Sequence, residues 1–475
     1  MTKNQMTASK ALQSFLPAFV VMMILLLSGI DIFIALMIAM AIIVIYSLAI
    51  GFKWEYLEQA LLNGAKSVLP GSVVIILVGA LIGVWIACGS VPAMLYYGLK
   101  LINPQFFLPI AFILCCITSM ATGTCWGTAG TMGVALIGMA AAIGVPLPMA
   151  AGAIISGAHF GDKLSPLSDT TVLASTTAKV NLYDHIVSML YDTVPITVIC
   201  LVVYTILGFR YGSSSATLDE VNVLMSGLKD LFQINVFMLI PPLVTIVLSV
   251  KRVPAIAVFS SSIFLAIAWA MIFQGVNLGE VCNIAISGFV CESNVASLSS
   301  LLSRGGTTSM VTSVYTALIC GMFSGLLGET GVFEALVGAL KKIVKTGRGL
   351  TTMTTFTCIF LMVSGGSQYT ALTLPGAALH DAYEEYDVHP CVLSRTMENS
   401  GTLIGSIIPW DVSAVFLAST LGVSLGEYWC YALLPLLSPV MGLINGWFGI
   451  GVFHKNDRVR LTLKRRDYSQ EKTQH

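Results

Sequence analysis

The sequence is short of charge. Of its 475 residues only 10% are Asp, Glu, Lys or Arg, whereas 56% are hydrophobic, and the mean hydropathy is +0.86. Soluble domains carry roughly 25% charged residues, so composition excludes a soluble enzyme and a disordered chain. The 24 basic and 24 acidic residues balance to zero net charge; with no basic surplus, nucleic acid is not an expected partner. There is no C-x-x-C and no Cys/His group at metal spacing. Most of the eleven cysteines sit in apolar runs (Cys88, Cys115, Cys116, Cys200, Cys320, Cys358), where a thiol behaves as a small buried apolar group. H-E-x-x-H and G-x-S-x-G are absent, and no nucleophile–base set stands out, which argues against a membrane-embedded enzyme. The G-x-G-like stretch at 121–130 follows no strand and carries no nucleotide-binding weight. No cofactor is expected. What remains is an all-α polytopic membrane protein with lipid as its surroundings.

A helix crossing ~30 Å of hydrocarbon needs about 20 apolar residues. Clean candidates are 15–29, 31–50, 68–88, 183–209, 234–250, 254–273, 308–330 and 426–449. The first follows a short basic start without a small-x-small cleavage site, so it reads as a first span rather than a signal peptide. Segments 54–66 and 332–345 read as short amphipathic pieces, and 211–233 as the longest polar loop. Segments 105–178 and 350–421 are apolar but repeatedly interrupted by Gly, Ser, Thr and Pro.

Glycines recur at one offset. Gly64/Gly306, Gly79/Gly321, Gly83/Gly325, Gly89/Gly331 and Gly123/Gly365 are all 242 apart, as are Thr128/Thr370 and Thr131/Thr373. Upstream the offset drops to 224 (Gly51/Gly275, Gly64/Gly288), which places about 18 extra residues of the second half near 289–306. The shared spacing predicts a duplication: residues 1–210 as the first transmembrane repeat, 211–233 as the loop between, 234–450 as the second repeat and 451–475 as a basic cytoplasmic tail. With about five crossings and one re-entrant hairpin per repeat, the second repeat enters from the opposite side. The repeats are then inverted, with broken helices at the centre. This topology puts 18 Lys and Arg on the cytoplasmic side and 4 outside, and leaves Lys163 and Arg395 at membrane depth. The positive-inside rule favours that sorting and places both termini in the cytoplasm. Inverted repeats with interrupted helices are the architecture of secondary transporters.

Backbone at membrane depth must be hydrogen-bonded unless it lines a cavity. Four Gly/Ser/Thr-rich breaks therefore point to the working site: 121–131, 156–171, 364–376 and 398–411. Freed carbonyls and hydroxyls suit Na⁺, and half-helix N-termini suit an anion. The second break holds His159, Asp162, Lys163 and Asp169 within eleven positions, and each charge near the bilayer centre costs about 2.5–3.5 kcal/mol. Such a cluster needs a polar cavity and internal pairing. Asp162 and Asp169 are candidates for a cation or a proton, with Lys163 as counter-charge. The fourth break offers Glu398, Asn399, Ser400, Thr402 and Asp411, with Arg395 one turn before Glu398, a spacing that also fits a structural Arg395–Glu398 pair. Thr124, Ser165, Ser168, Thr170 and Ser367 are further oxygen donors. Asp192 and Glu329 are weaker candidates, the first with a packing or helix-bonding role and the second interfacial.

The residues GDKLSPLSDTT (161–171), with GTCWGTAGT (123–131) upstream and ENSGTLIGSIIPWD (398–411) downstream, resemble the NhaC-type Na⁺/H⁺ antiporters of the ion-transporter superfamily. The resemblance covers nearly the whole chain. It implies two inverted repeats, with a first hairpin at 105–143, a first broken helix at 147–178, and their counterparts at 350–385 and 389–421. Val172 stands where many members carry Asn, and Asp411 where Asn is frequent. The family is not uniform in substrate: some members exchange Na⁺ for H⁺, and others look like exchangers of Na⁺ and lactate against malate and protons.

The expected function is therefore Na⁺/H⁺ antiport across the cytoplasmic membrane, with a Na⁺ site near Asp162 and Asp169. The alternative is an exchanger of small carboxylates on the same fold, with Arg395 or a half-helix N-terminus holding the anion. A channel ranks lower, since no filter motif or gating-charge helix is visible. A homodimer is compatible with either transporter.

Overall fold

The computed structural model describes residues 6–101, 104–211, 218–251, 253–293, 298–299, 302–341, 346–365, 367–462 and 465–466. Among them the chain is almost wholly helical, and the one β feature is an isolated bridge between Ile450 and Arg465. In chain order the helices are α1 (Ala8–Leu27), α2 (Ile32–Ala49), α3 (Trp54–Ala87), α4 (Ser90–Leu101), α5 (Phe107–Thr122), α6 (Cys125–Ala142), α7 (Leu147–Leu164), α8 (Asp169–Thr177), α9 (Leu182–Tyr211) and α10 (Leu218–Leu231). There follow α11 (Ile240–Val250), α12 (Ala255–Phe273), α13 (Leu278–Ser287), α14 (Val311–Glu329), α15 (Val332–Lys341), α16 (Gly347–Val363), α17 (Gln368–Glu385), α18 (Pro390–Gly401), α19 (Val412–Leu421) and α20 (Leu433–Phe448). Among the described residues eight helices are long and apolar enough to cross a bilayer, or eleven if each bent pair is one crossing. The protein is a multi-pass membrane protein. Apolar side chains such as Phe264, Ile272 and Val202 point outward from α12 and α9, as a lipid-facing surface requires.

Four elements differ from the sequence reading. Segments 54–66 and 68–88 are one 34-residue helix; the i→i−4 bond lost at Pro70 does not end it, because α14 packs along its length. The polar stretch 211–233 contains α10, an amphipathic helix, and its residues 212–217 lie outside the described set. The spans 234–250 and 426–449 are shorter than expected: a 3₁₀ turn at Val236–Leu239 precedes α11, and the chain bends by 50° between Leu425–Tyr431 and α20.

α3 and α14 cross where both are stripped to glycine. A Cβ at Gly64 would sit 2.2 Å from Gly321 O, and one at Gly79 would sit 2.6 Å from Gly306 O. These are the offset-242 partners in exchanged roles: Gly64 meets the counterpart of Gly79, and Gly79 meets the counterpart of Gly64. Because the contacts that rise along α3 (Gly64, Gly79) fall along the second segment (Gly321 on α14, Gly306 just before it), α3 and α14 run antiparallel. Phe289 N–H donates to Arg304 O at 3.0 Å, so these two residues, which flank the expected insertion, lie side by side; residues 294–297 and 300–301 within it lie outside the described set.

The interrupted regions form as two hairpins and two broken helices. α5 ends on Gly123 in the left-handed conformation (φ 72°), and Thr124 caps α6, which contains a π-helical turn at Ala129–Gly133. In the other hairpin Gly365 (φ 85°) turns the chain, and Ser367 accepts from Thr370 N–H at 3.2 Å to start α17. α7 stops at the residue before Ser165-Pro166 and resumes as α8. α18 passes through a 3₁₀ turn (Leu403–Ile407), and the segments either side of residues 408–411 are bent by 48°. Close glycine contacts hold these pieces: a Cβ at Gly157 would lie 2.4 Å from Phe112 O, and one at Gly161 would lie 2.1 Å from Met120 N.

Candidate functional site

Both hairpin tips and both helix breaks meet at one cavity of about 420 Å³. The first hairpin contributes Thr124, Cys125 and Trp126, and the first broken helix Asp162, Asp169 and Thr170. The second hairpin contributes Ser367, Gln368 and Tyr369, and the second broken helix Trp410, Asp411 and Ser413. Each element is placed by its own local chemistry. Ser165 Oγ donates to Met120 O at 3.1 Å, tying the first break to the first hairpin. Asp411 caps α19 by accepting from Ser413 N–H at 2.8 Å. Trp410 Nε1 donates to Val363 O at 2.8 Å, which fixes its ring against the second hairpin.

The electrostatics of the cavity are one-sided. Asp162, Asp169 and Asp411 line it, and no Lys, Arg or His does so among the described residues. Asp169 accepts from Tyr369 OH at 2.7 Å. Asp162 Oδ1 is buried and accepts no hydrogen bond, a condition that a cation or a proton relieves. A smaller recess of about 10 Å³ shares Asp162, Thr170 and Gln368 with the main cavity and adds His159, Lys163, Glu398 and Thr402. It holds about one water-sized particle.

Beneath the cavity lies a buried network of charges. Glu398 is fully buried. It accepts from Thr171 Oγ1 at 3.0 Å and Thr170 Oγ1 at 3.4 Å, and faces His185 Nε2 at 2.8 Å. His185 Nδ1 lies 2.8 Å from Ser394 Oγ. Lys163 Nζ donates to Asn399 Oδ1 at 2.6 Å, and Asn399 Nδ2 donates to Asp192 Oδ2 at 2.5 Å. Asp192 also accepts from Asn445 Nδ2 at 2.5 Å and is ion-paired with Arg395 Nε at 3.1 Å.

The structure thus gathers Thr124, Asp162, Asp169, Thr170, Ser367 and Asp411 at the main cavity, and His159, Lys163, Glu398 and Thr402 around the recess. Others line neither space directly. Ser168 Oγ pairs with Thr170 Oγ1 at 3.0 Å, Ser165 is spent on the hairpin, and Ser400 Oγ is buried without a partner. The Arg395–Glu398 pair does not form. The guanidinium is ion-paired with Asp192 on α9 and donates to Ser188 O and Gly451 O at 3.3 and 3.1 Å, while Glu398 faces His185. Lys163 likewise makes no ion pair with Asp162 or Asp169; its partner is the Asn399 amide. Sequence reasoning missed His185, Thr171, Asn445 and Tyr369 and ranked Asp192 low. Only Asp192, a carboxylate inside an apolar span, carried a signal of its own.

Comparison with known proteins places the chain in a family. A model described as the Na⁺/H⁺ antiporter family matches residues 1–187 and 157–450. The chain belongs to the Na⁺/H⁺ antiporter family. It is 37% identical over 427 residues to the malate-2H⁺/Na⁺-lactate antiporter of Bacillus subtilis, covering 90% of this chain and 91% of that one. It is 39% identical to an uncharacterized Na⁺/H⁺ antiporter of Haemophilus influenzae, covering 81% and 83% of the two chains. To the Na⁺/H⁺ antiporter NhaC of Alkalihalophilus pseudofirmus it is 35% identical, covering 88% and 90%. The resemblance read from 123–131, 161–171 and 398–411 thus holds for the family as a whole.

Proposed function

We propose that this antiporter exchanges Na⁺ for H⁺ across the cytoplasmic membrane, with both termini inside, and needs no cofactor. Asp162 is the carboxylate for which the two ions compete, Asp169 is the second charge of the site, and oxygens of Thr124, Thr170 and Ser367 complete it. An acid that must release its proton to bind Na⁺ couples the two fluxes by charge competition. The inverted repeats supply alternating access by moving one set of elements against the other around the four breaks.

The observation that carries this reading is the sign of the cavity. Its charged lining is three aspartates, whereas the two cations at depth are committed elsewhere, Lys163 to Asn399 and Arg395 to Asp192. Small-carboxylate exchange is kept as a second reading because a relative with that printed activity is 37% identical. Holding the anion through Arg395 would require that side chain to abandon its buried ion pair with Asp192, which costs several kcal/mol, and a half-helix N-terminus at the cavity would have to hold it against three aspartates.

The test is purified protein in liposomes under a pH gradient, with lumenal pH followed as Na⁺ is added, alone and with malate or lactate. Na⁺ alone is expected to move protons. If protons move only when a carboxylate is present, the second reading replaces the first.

A further inference from the structure

We propose that the same cavity binds a primary organic ammonium, a protonated amine carried on a small aromatic or apolar frame. The inference rests on the ion site proposed above, because the ammonium takes the place of Na⁺ beside the same carboxylates.

Size is the first argument. At ~30 Å³ of liquid volume per water, the main cavity of about 420 Å³ is far larger than one dehydrated Na⁺ needs, and the one-particle recess beside it is already large enough for that ion. The volume falls in the range of small-molecule sites, roughly 300–1,000 Å³.

The walls are the second. Trp126, Phe259, Tyr369 and Trp410 all line the cavity, and three of these rings are fixed before any ligand arrives. Trp126 stacks on Phe416 with centroids 4.7 Å apart, Trp410 is tied to Val363 O, and Tyr369 is tied to Asp169. Na⁺ alone would leave these surfaces against water. An ammonium on an apolar frame covers them while its charge faces the rings and the acids.

Charge and hydrogen bonding select the head group. With three aspartates and no lining cation among the described residues, an anion is repelled. The buried Asp162 Oδ1 lacks a donor; an N–H of a primary ammonium supplies one with charge assistance, and a quaternary ammonium has none to give.

The probe is radiolabelled 2-phenylethylammonium, which is charged near pH 7 because aliphatic ammonium groups titrate near ~10. Its binding to the purified full-length protein in detergent is measured at constant ionic strength. Saturable binding that Na⁺ displaces is expected, with 2-phenylethanol at least ~tenfold weaker as a competitor and 3-phenylpropionate inert. Asp162→Asn should abolish binding and Trp126→Leu should weaken it, each checked for monodisperse elution. Absence of saturable binding, or displacement by 3-phenylpropionate as readily as by Na⁺, overturns the proposal. Na⁺-driven proton movement in liposomes from the same preparation separates the two readings. Exchange without amine binding makes the cavity an aqueous approach only and overturns the amine site alone. Amine binding displaced by Na⁺, without exchange, supports the amine site and removes the exchange reading.

Discussion

Asp192 is fully buried and answered on three sides, by the Arg395 guanidinium and by the amides of Asn399 and Asn445. Removing one partner of a buried ion pair leaves an uncompensated charge and costs about 3–5 kcal/mol. Arg395→Leu should therefore lower the thermal unfolding temperature in detergent sharply. Asp192→Leu/Arg395→Leu should recover part of that loss, and an undiminished loss in the double variant would deny the pairing. The same residues mark the limit of sequence reasoning. Asp162 and Asp169 were legible because they sit among helix breakers, where an apolar span has no reason to place acids. His185 and Asp192 lie within the unbroken helix α9, and their partners are more than 200 positions away. No local pattern announces such a meeting. The i,i+3 spacing of Arg395 and Glu398 was misleading, because each side chain finds a better partner on α9 than its own helix offers.

The placement of Asp162 depends on how closely α7 lies on α5. A Cβ at Gly161 would meet Met120 N at 2.1 Å, a backbone atom that cannot rotate away. Gly161→Ala should destabilise the protein by about 1–3 kcal/mol through overpacking and displace the adjacent carboxylate. It is expected to lower the unfolding temperature and weaken Na⁺ affinity together, whereas Gly328→Ala, where the added Cβ meets nothing within 4 Å, should leave the unfolding temperature unchanged. If both variants behave alike, close packing does not position the site. At this scale much could be read in advance. The four breaks fall where Gly, Pro and hydroxyl residues cluster, since these end helices for local steric reasons, and the hairpins and broken helices fall close to the bounds that the family resemblance implies. The helices that defied the reading, α3 and α10, are held by tertiary packing or by an amphipathic face, where composition favours two pieces or a loop.

Across the whole molecule, the described part of the tail is folded back onto the helix ends. Arg466 Nη1 donates to Asp387 O at 2.6 Å, Tyr191 OH donates to Arg460 O at 2.9 Å, and His454 Nδ1 meets Asp387 Oδ2 at 2.6 Å. Burial would raise the Asp387 carboxyl, but the hydrogen bonds from His454 and Lys455 N–H outweigh it and hold the group below its ordinary value of 3.8. A depressed carboxylate contributes attachment above its free value, and that contribution fades as pH falls through the lowered one. Tryptic cleavage of the tail should therefore be faster in Asp387→Asn than in the parent at neutral pH, and equal rates would show that the latch contributes nothing. Because the tail reaches Arg395 through Gly451 O, its attachment belongs to the same connected structure as the ion site.

The central claim is that Na⁺ and H⁺ compete for Asp162, and equilibrium binding of ²²Na⁺ to the purified protein as a function of pH tests it most directly. Competition for one carboxylate raises the apparent Kd for Na⁺ by about tenfold per pH unit on the acidic side of its titration, and Asp162→Asn abolishes both the binding and its pH dependence. A Na⁺ affinity that stays constant through acidification, or that survives intact in Asp162→Asn, would contradict the account.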